Sequence, residues 1–260
     1  MNDPNLLKQT FDEVALLYNA VRPRYPDELF STLIDTTHLD TDAILLEIGA
    51  GTGQATKPLA QKGFKITAVE LGYSLAEVAK RELKDYTNVQ IVNSSFEKAD
   101  FLPKTFDLIY AATSFHWIDH AVKYTKTHSL LRDKGYLAII DTNHISDEQG
   151  DKFFIGSQPI YERYNFLDNP RPKLPNKKEL KACELDECLF TLIHYQIFPI
   201  VITYTGRTFA QLLNTYSSHL KADKEIQRLF YQEIEDFINE KFHGKIDKHF
   251  AMSLTIAQKR

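Results

Sequence analysis

The sequence predicts an α/β protein built on an open, doubly wound sheet, and three observations carry that prediction. Between residues 43 and 141, five short runs rich in apolar and β-branched residues alternate with runs of helical periodicity. Such alternation makes the strands parallel and the helices crossovers, and right-handed crossovers leave few other arrangements. A turn with Gly49, Gly51 and Gly53 follows the first run, and an acid, Glu70, closes the second. With hydrophobic residues at 43% of 260, the chain can fill a core, which excludes a disordered polymer.

The elements follow in order. Leu6, Leu7, Val14 and Leu17 recur near helical spacing until Arg22-Pro23-Arg24-Tyr25-Pro26 breaks the run. Pro26 can start a second helix, with Asp27 and Glu28 in its first turn, where carboxylates complement exposed N–H groups. Residues 1–38 therefore read as an N-terminal helical cap. Strands are expected over 43–48, 65–70, 89–93, 106–111 and 135–141, and helices over 54–61, 74–84 and 118–132. Gly63, Gly72 and Gly135 punctuate them, so that 39–142 form the core. Residues 143–188 are rich in charge and contain Pro159, Pro170, Pro172 and Pro175, and read as an insertion, either ordered or a flexible lid. The last segment, 189–260, offers a β-rich run over 189–204, helices over 209–220 and 224–242, and a final strand over 248–256 that returns to the sheet.

Composition narrows the function. A formal charge of -4 supplies no general field for a polyanion, which argues against nucleic-acid binding by counterion release. Lys177-Lys178 and 221–224 read as solvated faces. Cys183 and Cys188 are too few for a disulfide framework or a zinc site, and suit a reducing compartment; no metal is expected. Residues 1–9 lack the apolar core of a secretory signal, and 189–204, broken by His194, Gln196 and Pro199, is shorter than the roughly 20 residues that span a bilayer. The expectation is a cytoplasmic protein, monomer or homodimer, with no membrane partner and a small molecule as its partner.

The most informative residues are Glu47-Ile48-Gly49-Ala50-Gly51-Thr52-Gly53-Gln54. Alternate glycines let backbone pass close to a ligand, although a tight strand-to-helix turn without ligand would use the same residues. A phosphate-gripping loop would end in Gly-Lys-Ser/Thr, which is absent. The dinucleotide pattern G-x-G-x-x-G also misses, because its sixth place is Gln54 counted from Gly49 and Thr56 counted from Gly51. Glu70, 21 positions after Gly49, stands at a strand tip where a carboxylate can accept hydrogen bonds from two ribose hydroxyls; taken singly, it reads equally well as a solvated strand-end acid. At the third strand's end, Ser95 and Phe96 either meet the edge and face of an adenine or form a capped turn with a core aromatic.

These residues resemble a known family. Residues 47–53 resemble motif I of class I S-adenosylmethionine-dependent methyltransferases, Glu70 resembles their ribose-binding acid, and Phe106-Asp107-Leu108-Ile109 resembles their fourth strand. A further resemblance is to the branch that includes trans-aconitate methyltransferase. It rests on Phe11-Asp12 with Tyr18, on Arg22-Pro23-Arg24-Tyr25-Pro26, on Phe115-His116-Trp117 and on Leu213-Asn214-Thr215-Tyr216-Ser217. It covers most of the chain and is poorest over 143–187.

The resemblance implies a Rossmann-like sheet of seven strands, mostly parallel, with a C-terminal antiparallel hairpin and helical lid elements. It implies S-adenosylmethionine as cofactor and S-adenosylhomocysteine as product, the methionine end near Gly49, Gly51 and Gly53 and the adenosine between Glu70 and Phe96. Glu47, Gln54, Leu71, Ser95 and Thr113 complete the implied cofactor set, and Tyr18 and Arg22 reach the cofactor's carboxylate from a helix folded over it. Ser95 departs from the family, which often has Asp there.

Methyl transfer from a sulfonium needs alignment and dryness more than covalent chemistry, and no G-x-S-x-G or H-E-x-x-H motif calls for another reaction. His116 is the candidate base for an acceptor that must lose a proton; its alternative is to orient the loop, with Trp117 in the core. For a small acidic acceptor, as the resemblance suggests, Arg163, Arg171 and Arg207 are available, with Arg207, Trp117, Tyr216 and Ser217 as the candidate acceptor set. The competing readings are a nicotinamide-dependent oxidoreductase, which the glycine spacing argues against, and a non-catalytic regulatory protein that binds the same cofactor.

Overall fold

The computed structural model describes residues 15–165, 171–220 and 222–260, without the side chains of Ser217 and Leu220. Leu6, Leu7, Phe11, Asp12, Val14, Pro170 and Lys221, used above, lie outside the described residues, as does the Ser217 side chain.

Seven strands form one sheet in the order β3-β2-β1-β4-β5-β7-β6. They are β1 Ile44–Ile48, β2 Lys65–Glu70, β3 Val89–Asn93, β4 Phe106–Ala112, β5 Leu131–His144, β6 Phe190–Thr205 and β7 Lys245–Lys259. The first five run parallel, and β7 pairs antiparallel with both β5 and β6. Two helices, α1 Ala15–Val21 and α2 Asp27–Thr37, precede β1. The crossovers carry α3 Thr56–Gln61, α4 Tyr73–Glu82 and α5 His120–Leu130, while α6 Lys152–Tyr164, α7 Gly206–Leu213 and α8 Lys224–Lys241 lie between β5 and β7.

Strand alternation divides the core. Leu45, Tyr110 and Ile140 pack with Leu29, Phe30 and Leu33 of α2 and Leu59 of α3 on one face. Leu46, Ile109 and Leu137 point the other way, to Tyr124 and Leu130 of α5, as the period of two requires. Covered on both faces, β1 is an almost unbroken apolar run, the mark of a central parallel strand.

Three departures from the expected elements have local causes. β5 begins at Leu131, before Gly135, because Gly135 serves a close approach at a register shift: an added Cβ would stand 3.1 Å from the Asp107 carbonyl oxygen. Helix α6 forms inside the proline-rich segment, with Pro159 in its interior. Its buried Ile160 and Tyr161 share a core with Phe230 of α8, and that packing outweighs the missing hydrogen bond. The helix expected over 209–220 is broken after Leu213, where Thr215 turns its hydroxyl to the Leu212 carbonyl; a separate turn, Ser217–Leu220, follows. The antiparallel pair of β6 and β7 is accordingly joined through helices. Among the described residues, no helix is long and apolar enough to cross a membrane, and no cluster of three or more His, Cys, Asp or Glu could hold a metal ion.

Candidate functional site

The sheet order reverses at β1, whose neighbours are β2 and β4, and a crevice opens there beyond the strands' carboxyl ends. Register brings its parts together: Ile48 pairs with Val69, and Glu70 with Asn93. The turn after Ile48 is tied to β2, since the N–H groups of Gly49 and Ala50 both donate to the Val69 carbonyl, at 2.8 and 3.1 Å. Gly49 has φ +70°, and a Cβ on it would stand 2.5 Å from Ser114 Cβ, so the turn lies directly against the end of β4. Gly51, at φ +58°, faces open space instead; a Cβ there would meet only Tyr18 Cε1, at 4.0 Å.

Glu70 organises this turn. Its carboxylate is 7% exposed, with one oxygen accepting the Gly51 N–H at 2.7 Å and the other accepting the Gly72 N–H at 2.7 Å. The next strand end is fixed in turn by Asn93, whose amide donates to the carbonyls of Glu70 at 2.8 Å and Leu71 at 3.1 Å.

The resulting cleft has about 740 Å³ of free space, its open mouth included. Of the residues singled out from the sequence, Tyr18, Gly49, Gly51, Glu70, Leu71, Ser95, Phe96, Thr113 and Trp117 line it. Thr113 has φ +57°, uncommon for a β-branched residue. Its N–H donates to the Ile140 carbonyl at 2.7 Å, and its hydroxyl shares hydrogen bonds with those of Tyr25 and Thr142, each at 3.1 Å. Ser94, Glu97, Leu75, Ser114 and Ile118 also border the cleft and were not singled out. Ser114, which hydrogen-bonds the Ile48 carbonyl, has no sequence signal, whereas Glu97 lies in the segment already marked by Ser95 and Phe96.

The remaining candidates stand outside that lining. Gly53 packs toward Leu83, and the Gln54 amide nitrogen is buried without a hydrogen-bond partner among the described residues. Arg22 donates through Nε to the Thr215 hydroxyl and through Nη2 to the Thr215 carbonyl, both at 2.8 Å, and its guanidinium lies over the rings of Tyr18 and Tyr216 at 4.8 and 4.3 Å. It therefore fastens α1, over the cleft, to the break after α7. Tyr216 in turn shares a hydrogen bond with His144 Nε2 at 3.0 Å. His116 is exposed on the short turn Phe115–Trp117, its ring 5.0 Å from that of Trp117. Partial desolvation, with Lys123 nearby, holds its pKa below the ordinary value. Arg207 is exposed in the first turn of α7, Arg163 pairs with Glu233, and Arg171 is held by Gln158 and Ser157 at 2.9 Å each.

Glu47 sits beneath the turn, 1% exposed, accepting hydrogen bonds from the hydroxyls of Thr56 at 2.5 Å and Tyr110 at 2.8 Å. Burial, aided by the charge of Glu70, pushes its pKa up to about 7 against the two hydrogen bonds. A carboxyl whose pKa is raised on folding stabilises fully below its unfolded value near 4.5, and that stability is lost as pH rises to about 7. The melting temperature of Glu47→Gln relative to the natural chain is expected to rise by about 5 °C between pH 5 and pH 8, the scale of 1–2 kcal/mol for a chain of this size. Thermal melts across that range check it; a constant difference would contradict the raised pKa.

The seven-stranded, mostly parallel sheet is the fold of solved proteins that are named as methyltransferases. Comparison with known proteins agrees: residues 46–139 match the family model described as a methyltransferase domain. A Dictyostelium discoideum protein assigned as a methyltransferase is 34% identical over 136 residues, 52% of this chain and 50% of that protein, so the chain spans about half the length of this relative. An uncharacterized methyltransferase of Schizosaccharomyces pombe is 26% identical over 235 residues, 90% of this chain and 88% of that one. Among solved structures, a protein of Anaeromyxobacter dehalogenans assigned as a type II methyltransferase shares the fold with a TM-score of 0.60 at 19% identity, over 92% of this chain and 97% of its own.

Proposed function

We propose that the protein is an S-adenosylmethionine-dependent methyltransferase that transfers the methyl group to a small-molecule acceptor by direct in-line displacement. The observation that carries this reading is the pairing of Glu70 with the Gly51 N–H at the switch point, beside a cradle that a Cβ at Gly51 would fill. The cleft fits such a cofactor on two further counts: it has an acid at the ribose position and Phe96 as a wall for the adenine.

When bound, the cofactor supplies a methyl carbon on a sulfonium leaving group. The chain's own residues bind and align. A carboxylate offers about four acceptor directions, and the two amide bonds to Glu70 fix its plane for vicinal hydroxyls. Tyr18 covers the turn and, held by Arg22, keeps water from it. Glu47 acts through Thr56 on the helix that follows the turn. In this reading 1–38 cap the cofactor, 39–142 hold it, and 143–188 with 189–260 form the acceptor side.

The acceptor atom we favour is a carboxylate oxygen, in keeping with the resemblance to the trans-aconitate branch. Such an oxygen is ionised at neutral pH and needs no base, and His116 stands outside the cleft lining. A hydroxyl acceptor would require His116, neutral at pH 7, to swing toward the cleft as a proton acceptor.

Isothermal titration tests the cofactor and labelled-methyl transfer tests the reaction. Micromolar binding of S-adenosylhomocysteine, no binding of NAD, and label in members of a panel of small acids are expected. NAD binding without S-adenosylhomocysteine binding would make the protein an oxidoreductase, and saturable cofactor binding with no labelled product would make it regulatory.

A further inference from the structure

A second, smaller cavity opens between β7, the turn after β5 and the start of α6, and it shares no lining residue with the cleft. Asp147, Asp151, Asp247, Lys248, Phe153 and Phe154 form most of its wall. Lys248 lies on β7 between Ile246 and Phe250, both buried in the helical layer, so the period of two turns its side chain the same way. It is only 8% exposed, and among the described residues its ammonium makes no hydrogen bond and no ion pair, with the Phe153 ring 5.7 Å from Nζ.

The charged groups around it are few and largely engaged. Asp147 accepts the N–H groups of Gln149 and Asp151 at 2.8 and 2.9 Å, Asp151 accepts the Asp147 N–H at 2.9 Å, and Asp247 accepts the Thr203 hydroxyl at 2.6 Å. His249 borders the cavity, and Arg171 and His144 complete the set. Burial first, then Arg171, push the Lys248 pKa down to about 8, against the opposing pull of Asp151 and Asp147. A lysine so placed is neutral in appreciable fraction near physiological pH, and a neutral amine is a nucleophile.

We propose that this cavity is a carbonyl-capture site, in which Lys248 forms a Schiff base with a small aldehyde. The amine nitrogen adds to the carbonyl carbon, giving a carbinolamine. The C–O bond then breaks, oxygen leaves as water with one proton from nitrogen and one from the medium, and the iminium retains the positive charge. Asp147 and Asp151, the two acids that act on Lys248, favour that cation over the anion that capture of carbon dioxide would create. Phe153, Phe154 and Leu174 supply an apolar wall, and an enclosed space of about 20 Å³, little more than one water needs, limits the captured compound to one or two carbons.

The test is reductive trapping of the full chain with formaldehyde and cyanoborohydride near pH 7, followed by peptide mass mapping. Lys248 is expected to be labelled at least about tenfold faster than the exposed Lys62 and Lys65, with a rate that is half-maximal near pH 8. Lys248→Met is expected to lose that label and keep its affinity for S-adenosylhomocysteine. Labelling of Lys248 no faster than that of the exposed lysines in the natural chain would overturn the proposal, whatever the variant does.

Discussion

Replacing Glu70 with alanine is expected to weaken binding of S-adenosylhomocysteine by about 1.5–3 kcal/mol, roughly a ten- to hundredfold rise in Kd. Two losses combine. The ribose hydroxyls lose a charged acceptor, and the N–H groups of Gly51 and Gly72 lose the carboxylate that holds both turns. Glu70→Gln keeps one oxygen acceptor and replaces the other with a donor facing an N–H, so it is expected to fall at the upper end of the same range. Isothermal titration of both variants measures this directly, and natural affinity in Glu70→Ala would remove the ribose assignment.

Gly51→Val is expected to abolish cofactor binding while the fold survives. The residue has φ +58°, where a β-branched side chain is strained by at least about 1–2 kcal/mol. The larger effect is steric. The new Cβ would stand 4.0 Å from Tyr18, and its methyl groups would occupy the cleft where backbone otherwise meets the ligand. Gly51→Ala separates the terms, since it carries most of the strain with less obstruction and is expected to bind weakly. Circular dichroism establishes that both variants fold, and titration gives the loss; a valine variant that binds normally would move the cofactor away from this turn.

The parallel half of the sheet was legible in the sequence because its strands are short runs rich in apolar and β-branched residues, the first closed by Gly49 and the second by Glu70. β1, β2 and β3 lie within a residue of expectation. Elsewhere a local signal was put to a tertiary use. Gly135 marks a close approach to Asp107 within β5 where a strand start was read, and Pro159 is tolerated inside α6 because Ile160 and Tyr161 bury against α8. The break after Leu213 is held by Arg22 from 193 residues away, which no window of sequence can show.

The same division applies to the site. Gly49, Gly51, Glu70, Leu71, Ser95 and Phe96 were readable because parallel strands in register deliver their ends to one place. Ser114 and Leu75 reach the cleft through packing alone, and the acceptor candidates Arg207 and Tyr216, taken from resemblance, lie outside its lining. Lys248 was passed over because, in sequence, a lysine within an amphipathic strand reads as solvated.

A crystal structure with S-adenosylhomocysteine soaked in tests the central claim most directly. The account predicts adenosine in the cleft at the switch point, its ribose hydroxyls on Glu70 and its base beside Phe96. A cleft that excludes this compound and admits a dinucleotide would contradict it.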